Sequence, residues 1–136
     1  NIERDLPVDK LEAQLRAQIE QQQPDFIGET GLDMLKGNLN LQLEYLKIHL
    51  QIAQAFNLPI ILHCVRAHNQ LTKSSAHLPL EQLLIESDAP YMPMTGKQTS
   101  NSTDCLTYAL ELAMLQQKNP SEVIARVNQN WLNLFS

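Results

Sequence analysis

The chain has 136 residues, of which 43% are hydrophobic, and this fits one globular domain, residues 1–136, with enough apolar side chains for a core. Ten Lys and Arg residues against fifteen Asp and Glu residues give a net charge of -5, which excludes the basic face typical of non-specific nucleic-acid binding. No segment is apolar enough to span a membrane and no signal-like segment begins the chain, so we expect a cytoplasmic protein without an obligate protein partner.

Helix-like and strand-like segments alternate in the first half of the chain. Apolar residues recur at helical spacing in residues 8–23, and Pro24 ends this helix before a short strand at 24–29. A second helix is predicted at 39–56. The apolar run "LPIILHCV", at 58–65, is typical of a strand buried on both faces.

The second half continues this order. In "LEQLLIESDAP" a helical lead-in precedes the strand-like residues 83–85, and two helices are predicted at 103–117 and 121–130, the second capped by Asn119. The face of the first of these helices that we expect to be buried consists of Leu106, Leu110, Ala113 and Met114. The alternation predicts an α/β protein with a parallel sheet.

One stretch interrupts this pattern. Residues 71–78 join a helical segment to the lead-in of the next strand with few residues and without a turn signal. We interpret this stretch as a junction between segments that are not neighbours in the full-length protein.

Three metal-binding residue types follow the three predicted strands. Glu29 ends the first strand, His63 the second and Asp88 the third. Because the carboxyl ends of parallel strands meet at one edge of a sheet, we expect these side chains to converge there. Carboxylates and imidazole suit Mg²⁺, Mn²⁺ or Zn²⁺, and a pair of such ions can activate water against a phosphoester.

Each of these residues also has a structural interpretation. A Glu or Asp at the end of a strand can cap a helix or carry a surface charge, and His63 can be a core histidine bonded to the backbone. The recurrence of metal-binding types at three equivalent positions favours the metal centre over these alternatives.

Four segments resemble, in this order, the TatD family of metal-dependent hydrolases. They are "FIGETGLD", "LPIILHCVRAHNQL", "PLEQLLIESDAPYMP" and "NQNWLNLF". The resemblance covers nearly the whole chain and implies a TIM (β/α)₈-type barrel, two divalent metal ions and phosphodiester hydrolysis of the deoxyribonuclease type. By matching motif, Glu29 would bridge the ions, His63 would bind one of them, and Asp88 would bind the other and act on the nucleophilic water. Weaker matches suggest substrate contacts for Arg66, His68 and Asn101.

The chain departs from the family by absences. It contains neither the H-x-H pair of the family's first strand nor a later metal-binding histidine before F-x-G, and three strands cannot close a barrel of about 250 residues. Either stretches of a longer chain are missing from this sequence or the site has degenerated. We favour missing stretches, because deletion of buried strands would expose sheet edges and apolar faces.

The sequence therefore predicts a divalent-metal-dependent hydrolase that cleaves phosphodiester bonds in DNA or in a small phosphodiester. Two alternatives stay open: hydrolysis of a non-phosphate ester or amide on the same barrel, and a non-catalytic α/β scaffold that binds a partner.

Overall fold

Helices and strands alternate along the computed structural model, which describes residues 7–86, 98–99, 101 and 103–136. In chain order the elements are α1 (Val8–Gln22), β1 (Ile27–Asp33), α2 (Leu39–Phe56), β2 (Ile60–Val65), α3 (His68–Ser75), β3 (Leu83–Ile85), α4 (Asp104–Gln116) and α5 (Pro120–Leu134), with a 3₁₀ turn at Leu80–Gln82. Helix α2 has the predicted bounds. Helix α5 is longer than predicted at its carboxyl end.

The three strands form one parallel sheet in the order β1-β2-β3. This confirms the predicted α/β class with parallel strands. Within the described residues the sheet is partial, which is consistent with a barrel of the (β/α)₈ type from which strands are missing. The central strand carries buried Ile60 and Leu62 at alternate positions, on one face of the sheet, and buried Val65 on the opposite face.

Helix α2 covers the sheet beside β1. Asn38 caps it by accepting hydrogen bonds from the backbone N–H groups of Asn40 and Leu41. Its inner face buries Leu46 and Leu50 almost completely, and each such burial contributes roughly 1.5–3 kcal/mol. No helix in the described part of the chain combines the length and the apolar composition needed to cross a membrane.

Helix α5 is fixed to the third strand by side-chain hydrogen bonds to the backbone. The buried amide of Asn130 donates to the carbonyl oxygens of Leu80, at 2.6 Å, and Leu83, at 2.9 Å. The indole N–H of Trp131 donates to the carbonyl oxygen of Ile85 at 3.0 Å. These bonds tie α5 to the third strand and to the 3₁₀ turn that precedes it.

The predicted end of the first strand was placed too early, because β1 continues past Glu29 to Asp33. The second strand ends at Val65, as the apolar run 58–65 predicted, so His63, which was expected to close it, lies within the strand. The strand accommodates the charge of Glu29 because that side chain is half exposed. Three residues later, Leu32 is fully buried. Burial of Leu32 extends the strand beyond the acidic residue that sequence reasoning took as its end.

The predicted buried face of α4 was also wrong. Leu106, Leu110 and Met114 are exposed, and of the four predicted residues only Ala113 is buried. The helix instead packs against α3, α5 and β3 through a face that includes Ala109 and Leu112. Because α4 is apolar on both sides, its hydrophobic spacing is compatible with either face, and the small alanines permit the closer approach.

Candidate metal centre

Glu29 and His63 contact each other across neighbouring strands. The carboxylate oxygen Oε1 of Glu29 lies 2.8 Å from Nδ1 of His63, and their side chains are 49% and 24% exposed, respectively. A carboxylate and an imidazole at this separation form a charge-assisted hydrogen bond when Nδ1 carries the proton. The exposure of both side chains leaves the pair open to ions and substrates from solvent.

An irregularity in the first strand sets the position of Glu29. Ile27 pairs with Ile60 and Thr30 pairs with Leu62, so β1 uses one more residue than β2 over this interval. Such bulges change the direction of side chains and are frequent beside active sites. Gly28, at φ +130°, lies in this bulge, in a conformation that other residues rarely adopt.

Gly31 permits close contact between the strands next to the imidazole. It pairs with His63 in the sheet, and a Cβ at this position would lie 1.7 Å from the carbonyl oxygen of His63. Any other residue would therefore force β1 away from β2 at the residue that carries the imidazole. The motif "GETGLD" thus supplies both the carboxylate and the two glycines that let it reach its partner.

The donor atoms of the pair fit a divalent ion. Ligand bonds of about 2.0–2.2 Å place neighbouring donor atoms on one ion about 3 Å apart, close to the 2.8 Å observed between Glu29 and His63. Within the described residues no three His, Cys, Asp or Glu side chains form a group that could hold a metal ion. Asp88, the third predicted ligand, lies outside the described residues.

The pair opens into a cleft of about 620 Å³ between β1 and the start of α2. Asp33, Lys36, Leu41 and Tyr45 are among the side chains that line it. Sequence reasoning missed Asp33 because it ended the first strand at Glu29, and it missed the other three because they lie on a loop and a helix. The only signal was the charged and glycine-containing stretch "DMLKGN" after the strand.

Arg66 and Asn101, two of the predicted substrate contacts, lie at exposed positions and are not among the described residues that line this cleft. Arg66 follows β2 directly and has a left-handed backbone, φ 57°. The side chain of Asn101 accepts a hydrogen bond from the backbone N–H of Thr103 at 2.9 Å, which helps to begin α4. The hydrogen bond of Asn101 therefore has a structural role at the start of α4.

His68, the third predicted substrate contact, begins helix α3 and also lies away from the cleft lining. Its Nε2 atom is buried and has no hydrogen-bond partner among the described residues. Burial lowers the pKa of His68 below its ordinary value, while the negative charges of Glu111 and Asp104 act in the opposite direction. The imidazole is therefore neutral at neutral pH.

The thiol beside the imidazole of the pair is not a nucleophile. Burial raises the pKa of Cys64 to about 11; a hydrogen bond from the backbone of Ala67 lowers it, and the charges of Glu111 and Asp33 raise it. Only the thiolate attacks or binds soft metals, and little thiolate exists at neutral pH at this pKa. Neither Cys64 nor Cys105 forms a disulfide bond in the described part of the chain.

Comparison with known proteins places the chain in a family. The sequence model of the TatD related DNase family matches residues 3–76 and 69–136. The uncharacterized metal-dependent hydrolase TatD of Mycobacterium tuberculosis (strain ATCC 25618 / H37Rv) is 36% identical to this chain over 67 residues, which are 48% of this chain and 25% of that protein. The match thus spans about a quarter of the length of this curated relative.

Two solved structures of similar proteins cover most of the chain. YjjV, a TatD homologue from Escherichia coli K12, is 22% identical with a TM-score of 0.42, and the match covers 93% of this chain and 69% of that one. A TatD family hydrolase from Entamoeba histolytica is 16% identical with a TM-score of 0.41, covering 93% and 70%. The match of the family's sequence model to almost every residue confirms the predicted relationship: this chain belongs to the TatD-related DNase family.

Proposed function

We propose that the Glu29–His63 pair is part of a two-ion divalent metal centre in a hydrolase that cleaves phosphodiester bonds, with DNA as the substrate class. The observation that carries this proposal is the 2.8 Å contact between a carboxylate and an imidazole that open together into a cleft. Membership of the TatD-related DNase family supports a metal-dependent hydrolase. The choice of DNA rests on the name of that family.

In this proposal each residue has a distinct role. Glu29 and His63 would hold the ions through carboxylate oxygens and an imidazole nitrogen, and Mg²⁺, Mn²⁺ and Zn²⁺ all accept such donors. Bound ions would lower the pKa of a water molecule and stabilise charge on the phosphoester oxygens. Asp88 would bind the second ion and accept the proton of the attacking water. Its neighbour β3 is fixed by the Trp131 and Asn130 hydrogen bonds.

We infer that the complete site needs segments that this sequence does not contain. The four histidines of the chain include no H-x-H pair, and the two stretches that the family model matches overlap at residues 69–76, which share residues 71–76 with the predicted junction. An intact mass of the expressed protein tests this inference. A mass near 15.4 kDa contradicts it, whereas a mass about twice as large supports it.

The metal-binding role can be tested by isothermal titration calorimetry with Mn²⁺. We expect Glu29→Gln and His63→Ala each to weaken binding at least about ten-fold, which is the smallest loss usual even for residues that only support a ligand. Glu44→Gln and His77→Ala are matched controls, since both side chains are exposed and lie outside the cleft. Equal affinity of the controls and the two variants would contradict the proposal.

The catalytic role can be tested with labelled single-stranded DNA. We expect metal-dependent cleavage that a chelator abolishes, and we expect Asp88→Asn to abolish turnover while the chain stays folded by circular dichroism. Cleavage of a non-phosphate ester or amide, with DNA left intact, would replace the phosphodiester assignment. Absence of both bound metal and hydrolysis would favour the non-catalytic scaffold.

A further inference from the structure

The cleft beside Glu29 and His63 combines charged and apolar walls. Its volume of about 620 Å³ lies within the range of about 300–1,000 Å³ that small-molecule sites occupy. Asp33 and Lys36 line it beyond the pair, and Leu41 and Tyr45 line it on the side of α2. The cleft therefore extends the candidate metal centre toward a surface of mixed character.

Lys36 supplies the ammonium group of this cleft. A phosphate that approached Glu29 and Asp33 without a neighbouring cation would be repelled, and the chain as a whole carries a net charge of -5. Among the described residues that line the cleft, Lys36 contributes the one Lys or Arg side chain. A local cation at this place is what a phosphate-bearing ligand requires.

The ammonium of Lys36 can serve a ligand. It lies 3.6 Å from Oδ2 of Asp33, which exceeds the length of about 2.7–3.2 Å typical of a hydrogen bond, and the Lys36 side chain is 66% exposed. The carboxylate of Asp33 is itself fixed, since its Oδ1 accepts from the backbone N–H of Leu35 at 2.8 Å. Lys36 can thus donate to a phosphate oxygen with only weak competition from Asp33.

The loop that carries Lys36 is held in place by Gln42. The side chain of Gln42 accepts from the backbone N–H of Asp33 at 2.7 Å and donates to the carbonyl oxygen of Asp33 at 2.9 Å, and it also donates to the carbonyl oxygen of Lys36. These bonds tie the end of β1 and the following loop to α2. The backbone that carries Lys36 is therefore fixed relative to the wall of the cleft.

Two backbone donors at the amino-terminal end of α2 are already engaged, because Asn38 accepts hydrogen bonds from the N–H groups of Asn40 and Leu41. Beyond them, Leu41 and Tyr45 present an apolar and an aromatic surface, on which a nucleic-acid base can stack.

We propose that this cleft binds one nucleotide unit of the substrate, with Lys36 contacting a phosphate oxygen and with Leu41 and Tyr45 against the base. The proposal rests on the proposed function, because it places this nucleotide next to the Glu29–His63 pair. It adds a specificity-determining residue, Lys36, and a preference for nucleotides over other phosphate esters. It is consistent with a site that engages few phosphates of a long chain.

Calorimetric titration with dAMP in the presence of EDTA tests the phosphate contact without any contribution from bound metal. We expect Lys36→Gln to weaken dAMP binding at least about three-fold, the loss of one charge-assisted contact at a partly exposed position. Lys47→Gln is the matched control, since Lys47 is an exposed lysine of α2 that does not line the cleft. No dAMP binding by the wild-type chain, or equal binding by both variants and wild type, would overturn the proposal.

A comparison of ligands tests the contact with the base. We expect dAMP to bind about ten-fold more tightly than 2-deoxyribose 5-phosphate, because stacking of a base on an aromatic side chain contributes on this scale. Equal affinities would remove Leu41 and Tyr45 from the proposal. If dAMP binding depends on Lys36 but no DNA is cleaved, the cleft assignment holds and the proposed hydrolysis fails. If DNA is cleaved equally well by Lys36→Gln at every substrate concentration, the cleft assignment alone fails.

Discussion

The region near β3 and the region between β1 and β2 use polar side chains in different ways. Near β3, the side chains of Asn130 and Trp131 donate to backbone carbonyl groups, and Asn130 is buried. Between β1 and β2, the polar side chains of Glu29 and His63 contact each other and remain partly exposed beside a cleft. Polar groups that pair with backbone stabilise the fold, whereas a charged pair open to solvent contributes little to stability and is accessible to ligands.

The largest expected effect comes from Gly31, which pairs with His63 between β1 and β2. Gly31→Ala places a Cβ 1.7 Å from the carbonyl oxygen of His63, so the strands must separate. We expect a loss of more than about 3 kcal/mol of unfolding free energy, or no cooperative unfolding, because overpacking and lost strand pairing add together. Urea denaturation followed by circular dichroism measures this.

Gly37 provides the matched control for that experiment. Its φ is positive, +63°, unlike that of Gly31, and the nearest atom to an added Cβ is the side-chain nitrogen of Gln42 at 4.0 Å. We expect Gly37→Ala to cost only about 1–2 kcal/mol, the strain of a left-handed alanine. Equal losses for Gly31→Ala and Gly37→Ala would show that close strand contact at His63 is not what requires the glycine.

The second effect tests the structural side of the comparison. Asn130→Ala removes two hydrogen bonds to buried carbonyl groups, so we expect a loss of about 2–4 kcal/mol. Asn133→Ala on the same helix is the control, since its exposed side chain accepts from Gln129 on the same helix and not from a buried group, and we expect a change within about 0.5 kcal/mol. Thermal or chemical unfolding decides between these values.

The third effect tests the region between β1 and β2, where Glu29 contacts His63. Glu29→Gln should change the unfolding free energy by less than about 1 kcal/mol, because pairs with this exposure contribute little. The same variant should lose Mn²⁺ binding, as proposed above. A loss of stability as large as that of Asn130→Ala would mean that the Glu29–His63 contact is a structural bond, and the contrast between the two regions would disappear.

Local signals in the sequence predicted a large part of the fold. Helix α2 has its predicted bounds because Asn38 caps it and its apolar residues keep one period throughout. The capping role of Asn119 is confirmed by a hydrogen bond from the backbone N–H of Ser121. The proximity of Glu29 and His63 was expected because they lie on neighbouring parallel strands, although both residues lie within their strands and not at the ends.

Features that depend on tertiary contacts could not be predicted in the same way. The bulge at Gly28 and the extension of β1 to Asp33 depend on how closely β2 approaches. The buried face of α4 depends on which of two apolar sides meets the sheet. Lys36 enters the cleft because Gln42 holds the preceding loop, and such a bond between a loop and a helix leaves no periodic pattern in the sequence.

The smallest expected effect concerns His68, which begins α3 after β2 and does not line the cleft. Burial lowers its pKa in the folded chain below the ordinary value of about 6.5, so the unfolded chain takes up a proton first as the pH falls. The folded state therefore loses stability below about pH 6.5, and the loss is complete once the pH passes the lower pKa of the folded chain. Replacement by glutamine removes this proton uptake.

We therefore expect the stability advantage of the wild-type chain over His68→Gln to be larger at pH 7 than at pH 5. Urea denaturation at both pH values measures the difference between the two proteins, which cancels the titration of carboxylates common to both. His77→Gln serves as the control, since it makes the same substitution at an exposed histidine. An advantage that grows toward pH 5 would mean that Glu111 and Asp104 outweigh burial, and that His68 is charged in the folded chain.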